Sequence, residues 1–287
     1  MTATPLPETF RFSQGSLQDY VDCARRFQLR YVLMQPWPAL ITDAPHDFER
    51  YLQRAADFHR LAHQYHLGID PGRLAGTIDD DPGTGGQELR RWWQTFLGHP
   101  PPGLPAGERH AEVVLTAPLA GYRLLAKVDL LAAEPGQRLV VVDWKTVRRR
   151  PPRGVLAGRL QTRVYRFLAV EAGAAFFGGR QPLPEQVEMV YWFATDNGRV
   201  ERFAYDDEQH EADRTYLSGL IAEVAAHREP IWPLTDDVRQ CRFCNYRSLC
   251  ERGVRAGFFE DLEADLEGDV AERRLEIDLE QIAEIEF

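Results

Sequence analysis

Two apolar segments joined by a short turn sequence constrain the fold of this chain more than any other feature. Residues 122–133 ("YRLLAKVDLLAA") and 138–146 ("RLVVVDWKT") both have the composition of β-strands. Between them, "EPGQ" places Pro135 and Gly136 at the centre of a turn. The two segments are therefore predicted to form an antiparallel hairpin within a central sheet.

The rest of the chain predicts helices on both sides of this hairpin. Apolar residues recur at helical spacing before and after it, and Ser16 is a candidate helix N-cap. The predicted elements are helices at 16–34, 45–67, 85–98, 156–177 and 207–228, and further strands at 111–119 and 186–205. We expect an α/β fold with a mixed central β-sheet flanked by helices.

The net charge of -10 is unevenly distributed over the 287 residues. Residues 259–287 carry twelve acidic residues and two arginines, so they account for a net charge of -10 and leave 1–258 near neutral. Within that body, residues 147–166 contain seven arginines and no acid, which favours contact with phosphate over a merely solvated surface. We predict one domain over 1–258 and an acidic tail over 259–287.

The hairpin brings acidic residues and a lysine together. Counting back from the turn places Asp129 opposite Val142 or Asp143, and side-chain alternation puts Asp143 and Lys145 on one face. Lys145 is one of only two lysines, against thirty-two arginines. Two neighbouring carboxylates suit a hard divalent ion, and a compact ammonium beside them can orient water at a phosphodiester. The simpler interpretation is an ordinary ion pair at the sheet edge.

These motifs resemble the PD-(D/E)xK nuclease superfamily in its RecB-like branch. "KVDLL" and "VVVDWKT" are similar to its core, with Val128 where the name has proline, and "LQTRVYRFLA" is similar to its Q-x-x-x-Y element. "RAADFHRLAHQYHLG" resembles its G-x-x-x-H helix, with Ala55 where the family has glycine. The resemblance implies a restriction-endonuclease-like core, and it covers about residues 10–253.

The resemblance also implies roles for individual residues. Asp129 and Asp143 would bind the metal with His59, and Glu112 is a further candidate; His63 and His66 compete for the histidine role. Lys145 would orient water, whereas Gln161 and Tyr165 would position the substrate. The arginines expected to contact phosphates are Arg148, Arg149, Arg150 and Arg153.

All four cysteines fit one metal centre. Cys241, Cys244 and Cys250 form a C-x2-C-x5-C array, and Cys23 lies far upstream. Four thiolates match either zinc or an iron-sulfur cluster, and spacing alone does not separate the two. The pattern resembles CRISPR-associated RecB-like exonucleases and the AddB nuclease domain, which implies a [4Fe-4S] cluster closing the domain.

Taken together, the resemblance implies a Mg²⁺- or Mn²⁺-dependent deoxyribonuclease that acts on single-stranded DNA ends. Because no G-x-x-x-x-G-K-[ST] motif is present, any helicase motor would be another chain. CRISPR adaptation proteins are the other expected class of partner. The alternatives are a non-catalytic DNA-binding subunit and a zinc-stapled nuclease. We expect a cytoplasmic protein with no membrane contact, because no apolar run approaches the length of a membrane span.

Overall fold

A six-stranded mixed sheet forms the centre of the fold in the computed structural model of the chain. The structure describes residues 6–37, 39–40, 45–78 and 85–258. The strands are β1 (Arg11–Ser13), β2 (Glu108–Leu119), β3 (Tyr122–Glu134), β4 (Arg138–Lys145), β5 (Val187–Phe193) and β6 (Arg199–Ala204).

The long strand β3 has three neighbours. β2 pairs with it antiparallel along nearly its whole length, so β1 and β4 must share its other edge. β1 pairs parallel with residues 123–125, and β4 pairs antiparallel with residues 130–134. In the described part of the chain no strand pairs with residues 126–129 on that edge. The sheet therefore has a gap beside Asp129.

Helices cover both faces of this sheet, which confirms the predicted mixed α/β architecture. The helices are α1 (Gln14–Asp22), α2 (Ala24–Phe27), α3 (Pro45–His66), α4 (Pro71–Ala75), α5 (Gly86–Gly98), α6 (Arg153–Gly158), α7 (Leu160–Ala172), α8 (Asp207–Ala226) and α9 (Arg239–Arg242). On one face, α3 and α5 pack on alternate residues of β3, β4 and β5, and on the other face α1, α7 and α8 pack on the intervening residues. Among the described residues, no helix is both long and apolar enough to cross a membrane.

The predicted helix over 16–34 is wrong as a single element. Cys23 has an extended backbone (φ -167°, ψ 110°) that separates α1 from α2, and a π-helical turn continues over Gln28–Val32. Ser13 rather than Ser16 caps α1: the Oγ of Ser13 accepts the Ser16 N–H at 3.1 Å, while the Ser16 Oγ accepts the Ser13 N–H at 2.9 Å. Apolar periodicity does not reveal a break at one residue.

Two other differences concern a short strand and the division of a helix. β1 was not predicted, because three residues are too few to show an alternation. The helix predicted near 156–177 is divided at Arg159 into α6 and α7. The acidic tail over 259–287 lies outside the described residues, so its predicted separation from the domain stays a prediction.

Candidate active site

Two acidic residues, Glu112 and Asp129, lie level with each other beside the gap. The flanking β2–β3 pairs Ala111–Leu130 and Val113–Val128 place Glu112 across from Asp129. The β3–β4 ladder ends at the pair Leu130–Val142, and this register, which decides between the two that the turn allowed, puts Asp129 and Asp143 each one residue beyond that pair. Asp129 contacts His59 of α3, whereas Asp143 contacts Gln161 of α7, so the two carboxylates have different surroundings.

Glu112 interrupts the regular backbone conformation of β2 at the position across from Asp129. Its φ of +56° lies in the left-handed region, which non-glycine residues rarely adopt and which stores on the order of 1–3 kcal/mol. The regular pairing of β2 with β3 omits this residue. A strained, charged residue in the middle of a long strand points to a functional demand at that position.

Asp129 is held by both of its carboxylate oxygens. Its Oδ1 lies 3.0 Å from Nδ1 of His59 on α3, and its Oδ2 accepts the backbone N–H of Trp144 at 2.7 Å. Burial favours a raised pKa, but the His59 ring and the Trp144 N–H outweigh it, and they hold the pKa of Asp129 below its usual value. The carboxylate is thus kept ionised.

His59, Glu112 and Asp129 form a group that fits a divalent ion. One ligand atom from each of the three lies within 4.8 Å of the others. Two carboxylates and an imidazole supply oxygen and nitrogen donors, and carboxylates in particular suit Mg²⁺ and Mn²⁺. Among the described residues this is the one such group of histidine, cysteine and acidic side chains.

Asp143 has a different environment from the one expected of a metal ligand. Its Oδ2 pairs with Nζ of Lys145 at 2.9 Å, and its Oδ1 accepts a hydrogen bond from Nε2 of Gln161 at 2.8 Å. The carboxylate therefore lies between an ammonium and an amide, and it is not part of the His59 group. Its predicted role as a metal ligand stays a prediction.

Lys145, the last residue of β4, lies at the centre of a buried polar network between the sheet and α7. Its side chain is 1% exposed, and its Nζ donates to Oε1 of Gln161 at 2.9 Å. Tyr165, one turn after Gln161, donates through its hydroxyl to the carbonyl of Lys127 at 3.1 Å. Lys127 lies in the stretch of β3, residues 126–129, that borders the gap, so this bond ties α7 to the sheet there.

Tyr191 completes this network, although sequence reasoning missed it. It lies opposite Asp143 on β5, and its hydroxyl donates to Oε1 of Gln161 at 3.2 Å. The Lys145 ammonium lies 5.1 Å from the centre of the Tyr191 ring, a cation–π distance. Thr162 lies 2.8 Å from the same hydroxyl. The only signal in the sequence was a tyrosine within a buried strand.

The structure separates the three candidate histidines. His59 lies beside Asp129, whereas the His66 ring stacks on Trp144 at 6.1 Å between centroids. Burial, reinforced by the charges of Arg109 and His63, lowers the pKa of His66 to about 4, so its ring is neutral. Among the described residues, His63 belongs to no group of three or more ligands of metal-binding size.

The four predicted phosphate-binding arginines fall into two pairs. Arg148 and Arg149 are exposed after β4. Arg150 and Arg153 both form ion pairs with Glu201 on β6, the second at 3.1 Å, and the Arg150 Nε also lies 3.2 Å from Asp196. The second pair is therefore partly neutralised by acids that lie about fifty residues downstream.

The cysteines lie in one region of the fold but not at the spacing of a single-ion site. No three of their sulfur atoms lie within 4.8 Å of one another in the described ranges, and all four thiols are free. Burial, with smaller contributions from the thiols of Cys23 and Cys250, raises the pKa of Cys244 to about 11 against the opposing effects of Arg26 and the Tyr246 N–H. Burial raises the pKa of Cys250, and the nearby thiols of Cys23 and Cys241 contribute to the rise.

The packing around Cys23 brings this N-terminal cysteine into the same region of the fold as the three C-terminal ones. Phe27 stacks on Trp232 with 5.6 Å between centroids, and the backbone N–H of Arg25 donates to the carbonyl of Pro233 at 3.0 Å. The C-terminal segment is thereby fastened to α2. The predicted closure of the domain by a four-cysteine metal centre is not shown by this geometry.

Comparison with known proteins identifies the family. The chain belongs to the PD-(D/E)XK nuclease superfamily, whose family model matches residues 11–251. The central sheet flanked by helices is consistent with the restriction-endonuclease-like fold expected of that family. No curated protein matches the sequence.

Two solved structures match this chain at low sequence identity. The crystal structure of SSO0001 is 13% identical, with a TM-score of 0.37, and the match covers 84% of this chain and 85% of that one. The crystal structure of a candidate exonuclease from Eubacterium rectale is 11% identical, with a TM-score of 0.44. The match covers 76% of this chain and 80% of that one.

Proposed function

We propose that this chain is a Mg²⁺- or Mn²⁺-dependent deoxyribonuclease of the RecB-like type that degrades single-stranded DNA from its ends. The observation that carries the proposal is the group of His59, Glu112 and Asp129, together with a buried Lys145 whose charge acts on Asp129. Family membership supports the nuclease class. The preference for ends and single strands rests on the resemblance of the motifs alone.

His59, Glu112 and Asp129 would hold the ion. A bound divalent ion would polarise the phosphodiester and generate hydroxide from water at neutral pH. The protein residues would supply orientation and charge: the Lys145 ammonium, fixed by Asp143 and Gln161, would stabilise the developing negative charge and orient the attacking water. The water oxygen would bond to phosphorus as the bond to the leaving sugar oxygen breaks; the water would lose its proton to solvent, and the leaving oxygen would take up a proton from solvent.

We further propose a [4Fe-4S] cluster on Cys23, Cys241, Cys244 and Cys250. Four thiolates around one zinc ion, at Zn–S distances of about 2.3 Å, would have their sulfur atoms roughly 3.8 Å apart. In every group of three of these cysteines, by contrast, at least one pair of sulfur atoms lies more than 4.8 Å apart. A larger cluster suits the wider spacing. Arg252 supports the binding of anionic thiolates, since its Nη1 lies 3.7 Å from the Cys241 sulfur.

The cellular role follows from the same resemblance. We propose a cytoplasmic nuclease of DNA repair and recombination or of CRISPR adaptation, with a helicase or CRISPR adaptation proteins as partners. Residues 1–258 would form the nuclease domain, followed by the acidic tail.

Cleavage of end-labelled DNA tests the proposal. We would compare wild type, Asp129→Asn and Asp57→Asn on single- and double-stranded substrates with Mn²⁺ or EDTA, after purification without oxygen. Asp57 is the matched control, because it lies on α3 outside the His59 group and, within the described residues, pairs with the exposed Arg60. Wild type and Asp57→Asn should cut only with Mn²⁺, and Asp129→Asn should be at least about 100-fold slower. A folded wild type that binds DNA without cutting it would contradict the proposal and favour a non-catalytic DNA-binding subunit.

A further inference from the structure

Both lysines of the chain lie at this site. Lys145 is fully buried in the α7 network, whereas Lys127, on β3 two residues before Asp129, has a side chain that is 33% exposed. The Lys127 ammonium forms an ion pair with Oε2 of Glu112. Every other basic side chain except histidine is an arginine, so lysine has been placed only where this group of ligands lies.

Lys127 and a metal ion would compete for Glu112. The carboxylate of Glu112 is one of the three candidate ligands, and it is also the ion-pair partner of Lys127. Two cations on one carboxylate repel each other, so the pair with Lys127 must weaken when Glu112 gives an oxygen to a divalent ion. A flexible four-carbon stem that is partly exposed allows the ammonium to move away.

This competition explains why the residue is lysine. An arginine would bind the Glu112 carboxylate through two parallel N–H donors and would hold both of its oxygens. The ammonium is a single point charge that releases the carboxylate more easily and can rotate toward another acceptor. The strained backbone of Glu112 directs its carboxylate to this shared position.

We propose that Lys127 is a displaceable counter-ion, which neutralises Glu112 until the divalent ion binds and then contacts a DNA phosphate beside the ion. The inference rests on the proposed function, since it assigns a second basic residue to the same site. It predicts that Lys127 weakens metal binding in free protein and strengthens DNA binding only when the metal is present.

Calorimetric titration with Mn²⁺ in the absence of DNA tests the first half. We expect Lys127→Met to bind Mn²⁺ roughly two- to fivefold more tightly than wild type, and Lys127→Arg to bind it more weakly. Arg123→Met is the matched control: Arg123 lies on the same strand, is exposed, and carries the same charge, so its loss should leave the affinity unchanged. Thermal melts would show that each variant is folded.

Fluorescence anisotropy of a labelled oligonucleotide, with Ca²⁺ or with EDTA, tests the second half. Lys127→Met should weaken DNA binding roughly two- to fivefold with Ca²⁺ and have no effect with EDTA. Equal Mn²⁺ affinity in Lys127→Met and wild type, or equal loss of DNA affinity in both buffers, would overturn the inference alone. Mn²⁺ binding that is absent in wild type, or unchanged in Glu112→Gln, would overturn the proposed function with it.

Discussion

The carboxylate of Asp129 takes the place of a backbone carbonyl as the acceptor for the Trp144 N–H. Its Oδ2 accepts that N–H at 2.7 Å, and Asp129 lies one residue beyond Leu130–Val142, the last regular pair between β3 and β4. A side chain thus replaces main chain in the ladder where the sheet opens. The arrangement holds Asp129 rigidly while leaving Oδ1 for His59.

Removal of the buried ammonium should abolish catalysis. We expect Lys145→Met to lose about 10²- to 10³-fold in cleavage rate, as for other preorganised electrostatic groups, while DNA binding is retained. It should also destabilise the fold by about 3–5 kcal/mol, because the buried Asp143 carboxylate loses the ammonium that lies 2.9 Å from it.

The double variant Asp143→Asn/Lys145→Met separates these two effects. It removes both charges, so its unfolding free energy in urea should recover toward wild type while cleavage stays absent. A double variant that regains cleavage would show that Lys145 has only a structural role.

Arg149 and Arg153 should differ in their contribution to DNA affinity. Arg149→Met should weaken binding and lower the salt slope, log Kd against log[salt], by up to about 0.7 for single-stranded DNA. Arg153→Met should have a smaller effect, since Arg153 already pairs with Glu201 at 3.1 Å. Equal slopes for the two variants would contradict this difference.

The cysteine centre should be coloured and should stabilise the protein. We expect anaerobically purified protein to be brown and to contain about four irons per chain. Cys250→Ser should lose the visible absorbance and melt at a lower temperature, because the C-terminal segment is no longer tied to α2. Asp143→Asn should keep its colour. A colourless wild type with one zinc per chain would refute the iron-sulfur assignment.

His66 should make stability depend on pH. In the folded protein its pKa is lowered to about 4, whereas the unfolded chain binds a proton near pH 6.5. The unfolded state therefore takes up a proton first, and the free energy of unfolding falls between pH 6.5 and 4, by at most about 3 kcal/mol.

His66→Phe should reduce this dependence. The phenyl ring can keep the stack on Trp144, and the buried Nε2 of His66 has no hydrogen-bond partner among the described residues, so none is lost there. Urea unfolding at pH 7 and pH 5 measures the difference. The exposed His46 provides a control, because His46→Gln should leave the pH dependence as in wild type. An unchanged dependence in His66→Phe would locate the proton uptake elsewhere.

Local sequence was sufficient to predict the hairpin. The turn at Pro135 and Gly136 restricted the register to two choices, and side-chain alternation placed Asp143 and Lys145 on one face. Both follow from geometry within about twenty residues. The mixed sheet with helices on both faces was predicted for the same reason, since each element has its own periodicity.

Contacts between distant strands were beyond sequence reasoning. The left-handed backbone of Glu112 is a property of one residue in its strand, and an alternating pattern does not show it. The pairing of Arg150 with Glu201 depends on β6 lying beside β5, which no local rule predicts. Tyr191 could not be distinguished from a core residue, because its role depends on Gln161 reaching it across the domain.

The scarcity of lysine has a consequence for chemical labelling. Amine-selective reagents have only two lysine side chains to attack in the entire chain, and one of them, Lys145, is 1% exposed. Lys127 is thus the one lysine accessible to a fluorophore or an isotope tag. An unmutated chain already carries a single accessible lysine for attachment, and its ammonium pairs with Glu112 of the candidate metal-binding group.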